Sequence, residues 1–310
     1  MSESEASVVL SAPVPDLVAV ATAHRLWLEG KGGHQAILRG SAFNEVVAPE
    51  LKLGRCRLSN CMFLVADLTA SSFEGAEMEA CDFGNSRLPE ADFTSAQLSE
   101  VDFSAAWMTE ACFADSRLTK VSLRKARLSR AGFYDLQGTL CSLAAAHLDG
   151  ARFNHANFVD CDFSEAELDD AVFQNSRLRF CKFVGARGDS TNFTGAKVND
   201  CQFQLCEFPL ARFQRTSLRG SQLLKSVFHE ADFREADLGG ARCGASSFTR
   251  ARFGGAKLLG TDLRAADLRD ARDLTADQLA QAWTDASTIL PNGKSGPYLR
   301  FSGAERPLTR

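Results

Sequence analysis

Six of the ten cysteines in this 310-residue chain are separated by multiples of twenty residues. Thiolates bind soft metals and take part in redox exchange, so a regular row of thiols is a candidate metal or redox site. Small residues such as Ser41, Val101 and Ala241 occupy other positions of the same row. We therefore favour cysteine as a small apolar filler and expect no metal here. The six are Cys61, Cys81, Cys141, Cys161, Cys181 and Cys201.

The other residues that could do chemistry are scattered. The chain has no metalloprotease motif, no nucleophile elbow, no phosphate-binding loop and no dinucleotide-binding fingerprint. We predict no catalytic residue and no bound cofactor, and we expect the protein not to be an enzyme. The isolated histidines are His24, His34, His147, His155 and His229.

Acidic residues, by contrast, are concentrated in one stretch. Residues 64–116 hold eleven acidic residues against one basic residue, Arg87, which gives a local balance of −10. Such a stretch favours binding to a basic surface of a partner. We call it the acidic belt, and its candidate partner-binding residues are Asp67, Glu74, Glu77, Glu79, Asp82, Glu90, Asp92, Glu100, Asp102, Glu110 and Asp115.

Further belts of alternating sign follow the acidic belt. Residues 117–130 hold six basic residues and no acidic one. Residues 131–175 are again acidic, by eight to one, and residues 176–227 are basic, by nine to three. Belts of opposite sign also favour association between copies of the chain.

The elements that position these charges follow from a repeat of five residues. A large apolar residue, usually Phe or Leu, returns at every fifth position from Leu38 to Leu268 over 47 repeats without an insertion. A small residue stands two positions before almost every one of them, and the other three positions are mostly polar. Neither a helix nor a long strand has this period, so we predict a short extended segment and a corner in each repeat.

The repeats are themselves ordered with a period of twenty. Every fourth large residue from Phe73 to Phe253 is Phe, which gives an unbroken series of ten. Four sides per turn would stack these rings at the spacing of parallel strands. The same spacing would stack Asp82 on Asp102 and Glu90 on Glu110, which repel each other unless a cation or a basic partner offsets them.

Units such as "ADFTS", "AQLSE", "ANFVD" and "ADLGG" resemble the pentapeptide-repeat family. The resemblance covers about three quarters of the chain and implies an all-β fold, a right-handed quadrilateral parallel β-helix. We expect about twelve turns and a rod about 55 Å long at about 4.8 Å per turn. The expected organisation is an N-terminal segment with a capping helix (1–35), the repeat β-helix (36–272), and a C-terminal capping helix with a tail (273–310).

Short capping helices are predicted at both ends of the rod. The first begins near Asp16 and is stopped by Gly30, Gly32 and Gly33. The second begins with a capping box of Thr275 and Gln278 and has an apolar stripe of Leu279, Ala282 and Trp283.

Three repeats have a small residue in place of the large apolar one. These are the repeats of Ala48, Gly138 and Gly188, and we expect them to be the most loosely packed.

The overall composition restricts the function. A net charge of −4 does not predict a nucleic-acid binder. No stretch is apolar enough to cross a membrane, and acidic residues stand where a secretory signal would carry basic ones, so we expect a cytoplasmic protein. The tail at 291–310 is compatible with a free end or with a homodimer contact.

Two functions remain open. The first is a non-catalytic scaffold that binds another protein through its charged surface, for instance an adaptor in a bacterial assembly such as a secretion system. The second is what the resemblance allows, because members of the family that act in quinolone resistance look like B-DNA and bind DNA gyrase or topoisomerase IV. In that case the acidic belt would meet the DNA-binding saddle of the type II topoisomerase, and the protein would not bind nucleic acid itself.

Overall fold

The computed structural model describes residues 16–307, and from residue 36 to residue 272 the chain is a coil that turns a corner after every five residues. Residues 1–15 of the predicted N-terminal segment and 308–310 of the predicted tail lie outside the described residues. At the corners the N–H of Ser86 donates to Phe83 O at 3.1 Å, and Asn85 between them has a φ of 56°. A four-residue turn of this kind needs a positive φ at its third residue. The five-residue period is therefore a period of turns.

Four ladders of parallel pairing run along the coil, one on each side, and up to residue 272 each joins residues that are twenty apart. We name the sides in chain order: side A holds residues 77–79 and their equivalents at intervals of twenty, side B 82–84, side C 87–89 and side D 92–94. The pairings Glu77 with Gln97, Asp82 with Asp102 and Asp92 with Cys112 are examples. The predicted quadrilateral parallel β-helix is confirmed.

Side A has the most regular pairing and forms one parallel sheet whose strands follow in chain order. The strands are β1 Ile37–Arg39, β2 Arg57–Ser59, β3 Glu77–Glu79, β4 Gln97–Ser99, β5 Arg117–Thr119, β6 Gln137–Thr139, β7 Asn157–Val159, β8 Arg177–Arg179 and β9 Lys197–Asn199.

This sheet makes about eight turns, fewer than the predicted twelve, and the coil continues through single bridges such as Ser217 with Asp237. The change has a local cause. From Leu218 onward the corner after side A closes with a turn bond, from Ser221 N–H to Leu218 O at 3.1 Å. None of the described corners after β1–β9 has such a bond, so those strands extend further.

The interior is a continuous column of side chains in which the phenylalanines stack as predicted. On side D the ring centroids of Phe73 and Phe93 are 5.2 Å apart, and those of Phe93 and Phe113 are 4.9 Å apart. Rings on neighbouring sides meet edge to face, as Phe73 does with Phe83 at 6.0 Å. Both arrangements suit the quadrupole of the aromatic ring. The large residues of the repeat therefore form one core along the whole rod.

The expectation of loose packing at the glycine repeats is wrong. Gly138 is buried in β6, and a Cβ built on it would lie 2.5 Å from Cδ1 of Phe158. At Gly188 a Cβ would lie 2.2 Å from Oγ1 of Thr191. Ala48 is partly buried and packs against the core. A larger side chain on the next turn or the next repeat fills the space, which a single repeat cannot reveal.

The first predicted capping helix is present as α1, Leu17–Leu28, with Asp16 accepting from Val18 N–H at its start. His24 is fully buried and attaches this helix to the coil. Its Nδ1 accepts from Ala36 N–H at 2.8 Å, which leaves Nε2–H to donate to Gly54 O at 2.7 Å. Burial lowers the pKa of His24. The helix thus covers the first turn through a neutral imidazole.

The second capping helix is α2, Ala276–Gln281, and the capping box of Thr275 and Gln278 is confirmed. Gln278 Nε2 also donates to Phe253 O at 2.8 Å, so the helix satisfies a carbonyl at the end of the coil. Trp283 does not belong to the buried stripe, because α2 ends before it and its side chain is 60% exposed. Neither helix of the described chain is long and apolar enough to cross a membrane.

We expect Gly138→Ala to lower the free energy of unfolding by about 1–3 kcal/mol, because the added methyl group must displace the Phe158 ring. Gly244→Ala is the matched control, since its Cβ would make only ordinary van der Waals contacts, with Arg264 O at 3.4 Å and Cδ2 of Leu224 at 3.6 Å. Denaturant unfolding of both variants checks this. A stabilising Gly138→Ala would mean that the repeat is loose after all.

The buried His24 predicts that α1 detaches in acid. Its pKa is lowered in the folded state, so its contribution to stability is complete above about pH 6.5 and is lost as the pH falls below that value. Hydrogen exchange should show α1 losing protection between neutral pH and about pH 5 in the native chain and in His34→Gln. His24→Phe should lack this pH dependence, and its persistence in that variant would contradict the assignment.

Candidate protein-binding surface

The twenty-residue spacing distributes the carboxylates of the acidic belt around the rod. Each side of the coil carries some of them, either on the side itself or at the corner that follows it, so the belt is a ring and not a one-sided patch. Side A and its corner carry Glu77, Glu79 and Glu100; side B carries Asp82 and Asp102; side C and its corner carry Asp67, Glu90 and Glu110; side D and its corner carry Glu74, Asp92 and Asp115.

The four half-buried aspartates of the ring are occupied by the backbone of the coil. Oδ1 of Asp82 accepts from Gly84 N–H at 2.8 Å, and Oδ1 of Asp102 accepts from Ser104 N–H at 2.8 Å. Asp67 and Asp92 accept in the same way from the residue two positions later. The predicted stacking of Asp82 on Asp102 is present, and these donors offset the repulsion between the two carboxylates.

Asp67 illustrates the electrostatic effect of these bonds. The hydroxyl and the N–H of Thr69 donate to its Oδ1, and Arg87 lies 3.5 Å away on the next turn. The hydrogen bond from the Thr69 side chain, with further support from Arg87, holds the pKa of this carboxyl below its usual value. The sequence contains the signal for this arrangement, an Asp two positions before Gly, Ser or Thr, but our sequence analysis missed it.

Three exposed glutamates of the ring form ion pairs with basic residues one turn away. The hydrogen bond from the Lys120 ammonium lowers the pKa of Glu100. Exposed pairs of this kind are screened by salt and contribute little to stability, but they neutralise part of the belt. The pairs are Glu77 with Arg57 at 3.1 Å, Glu100 with Lys120 at 2.7 Å, and Glu110 with Arg130 at 2.9 Å.

Four exposed carboxylates remain. Within residues 16–307, Glu74, Glu79, Glu90 and Asp115 form no ion pair and accept no side-chain hydrogen bond. Glu79 lies on side A, Glu90 at the corner between sides C and D, and Glu74 on side D. Asp115 lies at the corner between sides D and A. These four are the part of the belt that is free to meet a basic partner.

Side C carries an aromatic group that the sequence analysis did not single out. Trp107 lies between Arg87 and Arg127, whose guanidinium carbons are 5.1 Å and 4.6 Å from the ring centroid. The three residues are twenty apart, so the stack follows from the turn spacing and stabilises both cations over the ring. Arg127, a residue of the basic belt at 117–130, is therefore held in a contact within the chain.

The cysteine row lies inside the coil, as the filler hypothesis requires. Cys161 Sγ accepts from Cys141 N–H at 3.4 Å, so the thiols of successive turns are adjacent. Burial raises the pKa of the thiols of Cys56 and Cys206, on other rows, to about 12, which keeps them protonated at neutral pH. Among the described residues no three His, Cys, Asp or Glu side chains are grouped so that they could hold a metal ion.

The family model described as pentapeptide repeats matches more than half of the chain in eight copies. The matched residues are 66–104, 76–114, 96–133, 141–179, 171–208, 210–242 and 246–275. None of the curated proteins matches the chain.

Several solved structures are similar to the chain. Trypsin-treated QnrB1, a plasmid-mediated fluoroquinolone resistance protein, is 19% identical with a TM-score of 0.42, and the match covers 51% of this chain and 81% of QnrB1. HetL, a pentapeptide repeat protein involved in heterocyst differentiation regulation from the cyanobacterium Nostoc sp. strain PCC 7120, is 21% identical with a TM-score of 0.24. That match covers 87% of this chain and 96% of HetL.

The role of the half-buried aspartates can be separated from that of the free carboxylates. We expect Asp102→Ala to cost about 1 kcal/mol of unfolding free energy, because Ser104 N–H loses its acceptor. Asp102→Asn should be nearly neutral, since its amide oxygen can accept the same bond. Glu79→Ala is the control, because the Glu79 carboxylate accepts no hydrogen bond within the described residues. Equal stabilities of Asp102→Ala and Glu79→Ala in denaturant unfolding would contradict the role of Asp102 in the turn.

Proposed function

Because the chain belongs to the pentapeptide-repeat family, we propose that it is a non-catalytic rod that binds another protein through its charged surface. In this proposal it serves as a scaffold or an adaptor in a bacterial assembly. The interior of the coil is filled with phenylalanine, leucine and small side chains, so the outward positions are what the rod offers to a partner. These positions differ from turn to turn, which allows one stretch of the rod to be distinguished from another.

The observation that carries the proposal is the set of free carboxylates in the acidic belt. Glu74, Glu90 and Asp115 lie on or beside side D, exposed, and no described cation pairs with them. A carboxylate without a partner keeps its full charge for an incoming basic group, whereas the paired ones would first have to break an ion pair. We therefore propose that a basic surface of a partner docks along side D at residues 64–116.

The topoisomerase hypothesis makes a stricter demand on the same belt. A mimic of duplex DNA needs available negative charge at about one per 1.7 Å of rod. Here four aspartates accept hydrogen bonds from turn N–H groups, three glutamates form ion pairs, and a basic belt follows. This distribution supports a scaffold more than a DNA mimic, and gyrase binding is kept as an outcome of the experiment.

The test removes the free charges without removing any hydrogen bond of the turns. The amount of partner captured by the variant Glu74→Gln/Glu90→Gln/Asp115→Asn should fall by about tenfold or more, because the attraction is electrostatic. The matched control Glu165→Gln/Asp170→Asn/Asp270→Asn removes three exposed acids outside the belt and should bind like the native chain. Quantitative affinity capture from the source cells, at low and at high salt, provides the measurement.

A supercoiling assay with purified DNA gyrase is the second experiment. We expect the native chain to leave supercoiling unchanged. Inhibition of supercoiling that disappears in the triple belt variant would replace the scaffold proposal with the topoisomerase hypothesis. Capture of the same partner by the native chain and by the belt variant would refute the role of the belt.

A further inference from the structure

Side A offers a surface different from the one proposed above. Each of its strands points two side chains outward, so the sheet carries two parallel rows, one through residues 57, 77 and 97 and one through residues 59, 79 and 99. Between the rows run two shallow grooves, of about 740 Å³ over β1–β5 and about 330 Å³ over β7–β9. Neighbouring positions of a row are one turn apart, about 4.8 Å.

Two strands of this surface, one near each end, carry opposite charges at the same strand positions, while the strands outside them present the cations Arg39, Arg57 and Lys197. Strand β3 presents Glu77 and Glu79, and β8, five strands later, presents Arg177 and Arg179. All four side chains are exposed. Neither arginine has an ion-pair partner among the described residues, and Arg177 pairs in register with Lys197, so like charges lie side by side there. An incoming pair of carboxylates would relieve this repulsion.

Between the charged strands the rows are nearly neutral. Strands β4, β6 and β7 contribute only amide, hydroxyl and aliphatic groups, and β5 contributes the single cation Arg117. The surface therefore resembles a bar with an acidic pair near one end and a basic pair near the other. A surface of this kind is complementary to its own copy turned end for end.

We propose that two copies of the chain pack side A against side A in an antiparallel dimer. A two-fold axis that crosses the sheet between β5 and β6 keeps each row opposite itself and reverses the strand order. Glu77 then faces Arg177 and Glu79 faces Arg179, twice per dimer. A parallel dimer, with its two-fold axis along the rod, would instead bring Glu77 against Glu79 and Arg177 against Arg179, so charge alone selects the antiparallel form.

The neutral positions agree with this alignment. Gln97 faces Asn157 across the interface and Thr119 faces Thr139, pairs that can exchange hydrogen bonds. Two like-charge meetings lie near each end, one between Arg57 and Lys197 and, one turn further out, one between Arg39 and Arg219. Arg57 already pairs with Glu77, and Arg219 pairs with Asp237. From β2 to β9 the contact strip is about 34 Å long and little wider than one strand. A strip of this length and width buries less surface than a standard protein–protein interface, so the dimer is weak and is sensitive to salt.

Reversing the charges of β3 and of β8 tests the dimer in the full-length chain. Sedimentation at low salt should show the native chain associating with increasing concentration. Glu77→Arg/Glu79→Arg and Arg177→Glu/Arg179→Glu should each weaken self-association by about tenfold or more. An equimolar mixture of the two variants should associate again, since residues 77 and 79 of each copy then face residues 177 and 179 of opposite charge, and so should the chain that carries all four substitutions.

The control Glu165→Arg/Asp170→Arg changes charges on other sides and should associate like the native chain. A native chain that is monomeric at every concentration would overturn the proposal. So would a dimer that both side A variants leave intact, which would point to another contact such as the tail at 291–310. These substitutions do not touch Glu74, Glu90 or Asp115, so the dimer and the partner-binding proposal fail independently.

Discussion

Hydrogen bonds between successive turns fix the position of every side chain in this rod. Phe93 N–H donates to Cys112 O at 2.7 Å, and Asp92 N–H donates to Ser71 O at 2.9 Å. The pairing of each turn with the next through such bonds leaves no freedom to slip, since a shift by one residue would move the large apolar side chains out of the core. Residues twenty apart must therefore be neighbours, whatever their chemistry.

This constraint explains how the charged surface arises. Glu100 meets Lys120 because they are twenty apart, and Trp107 separates Arg87 from Arg127 for the same reason. Acidic and basic residues of neighbouring belts thus form ion pairs across the boundary between the belts. The carboxylates that remain free do so because the residues one turn away are small, polar or acidic.

The fold was predictable because five-residue and twenty-residue periods leave few alternatives. The stack of Phe93 on Phe113 and the capping box of Thr275 could both be derived from spacing alone. What could not be derived depends on three-dimensional neighbours. The space at Gly138 is filled by Phe158 from the next turn, and Trp283 is exposed because α2 is only six residues long. The composition of the acidic belt likewise did not reveal which of its carboxylates accept hydrogen bonds from the N–H groups of the turns.

A double-mutant cycle tests the central claim, that residues twenty apart in sequence are in direct contact. The rings of Phe153 and Phe173 stack with their centroids 4.4 Å apart, whereas Phe193 lies two turns from Phe153. We expect a coupling of about 0.5–1.5 kcal/mol in unfolding free energy between Phe153→Leu and Phe173→Leu. Phe153→Leu and Phe193→Leu should be additive. Additive effects in the first pair as well would contradict the stacked turns on which the account depends.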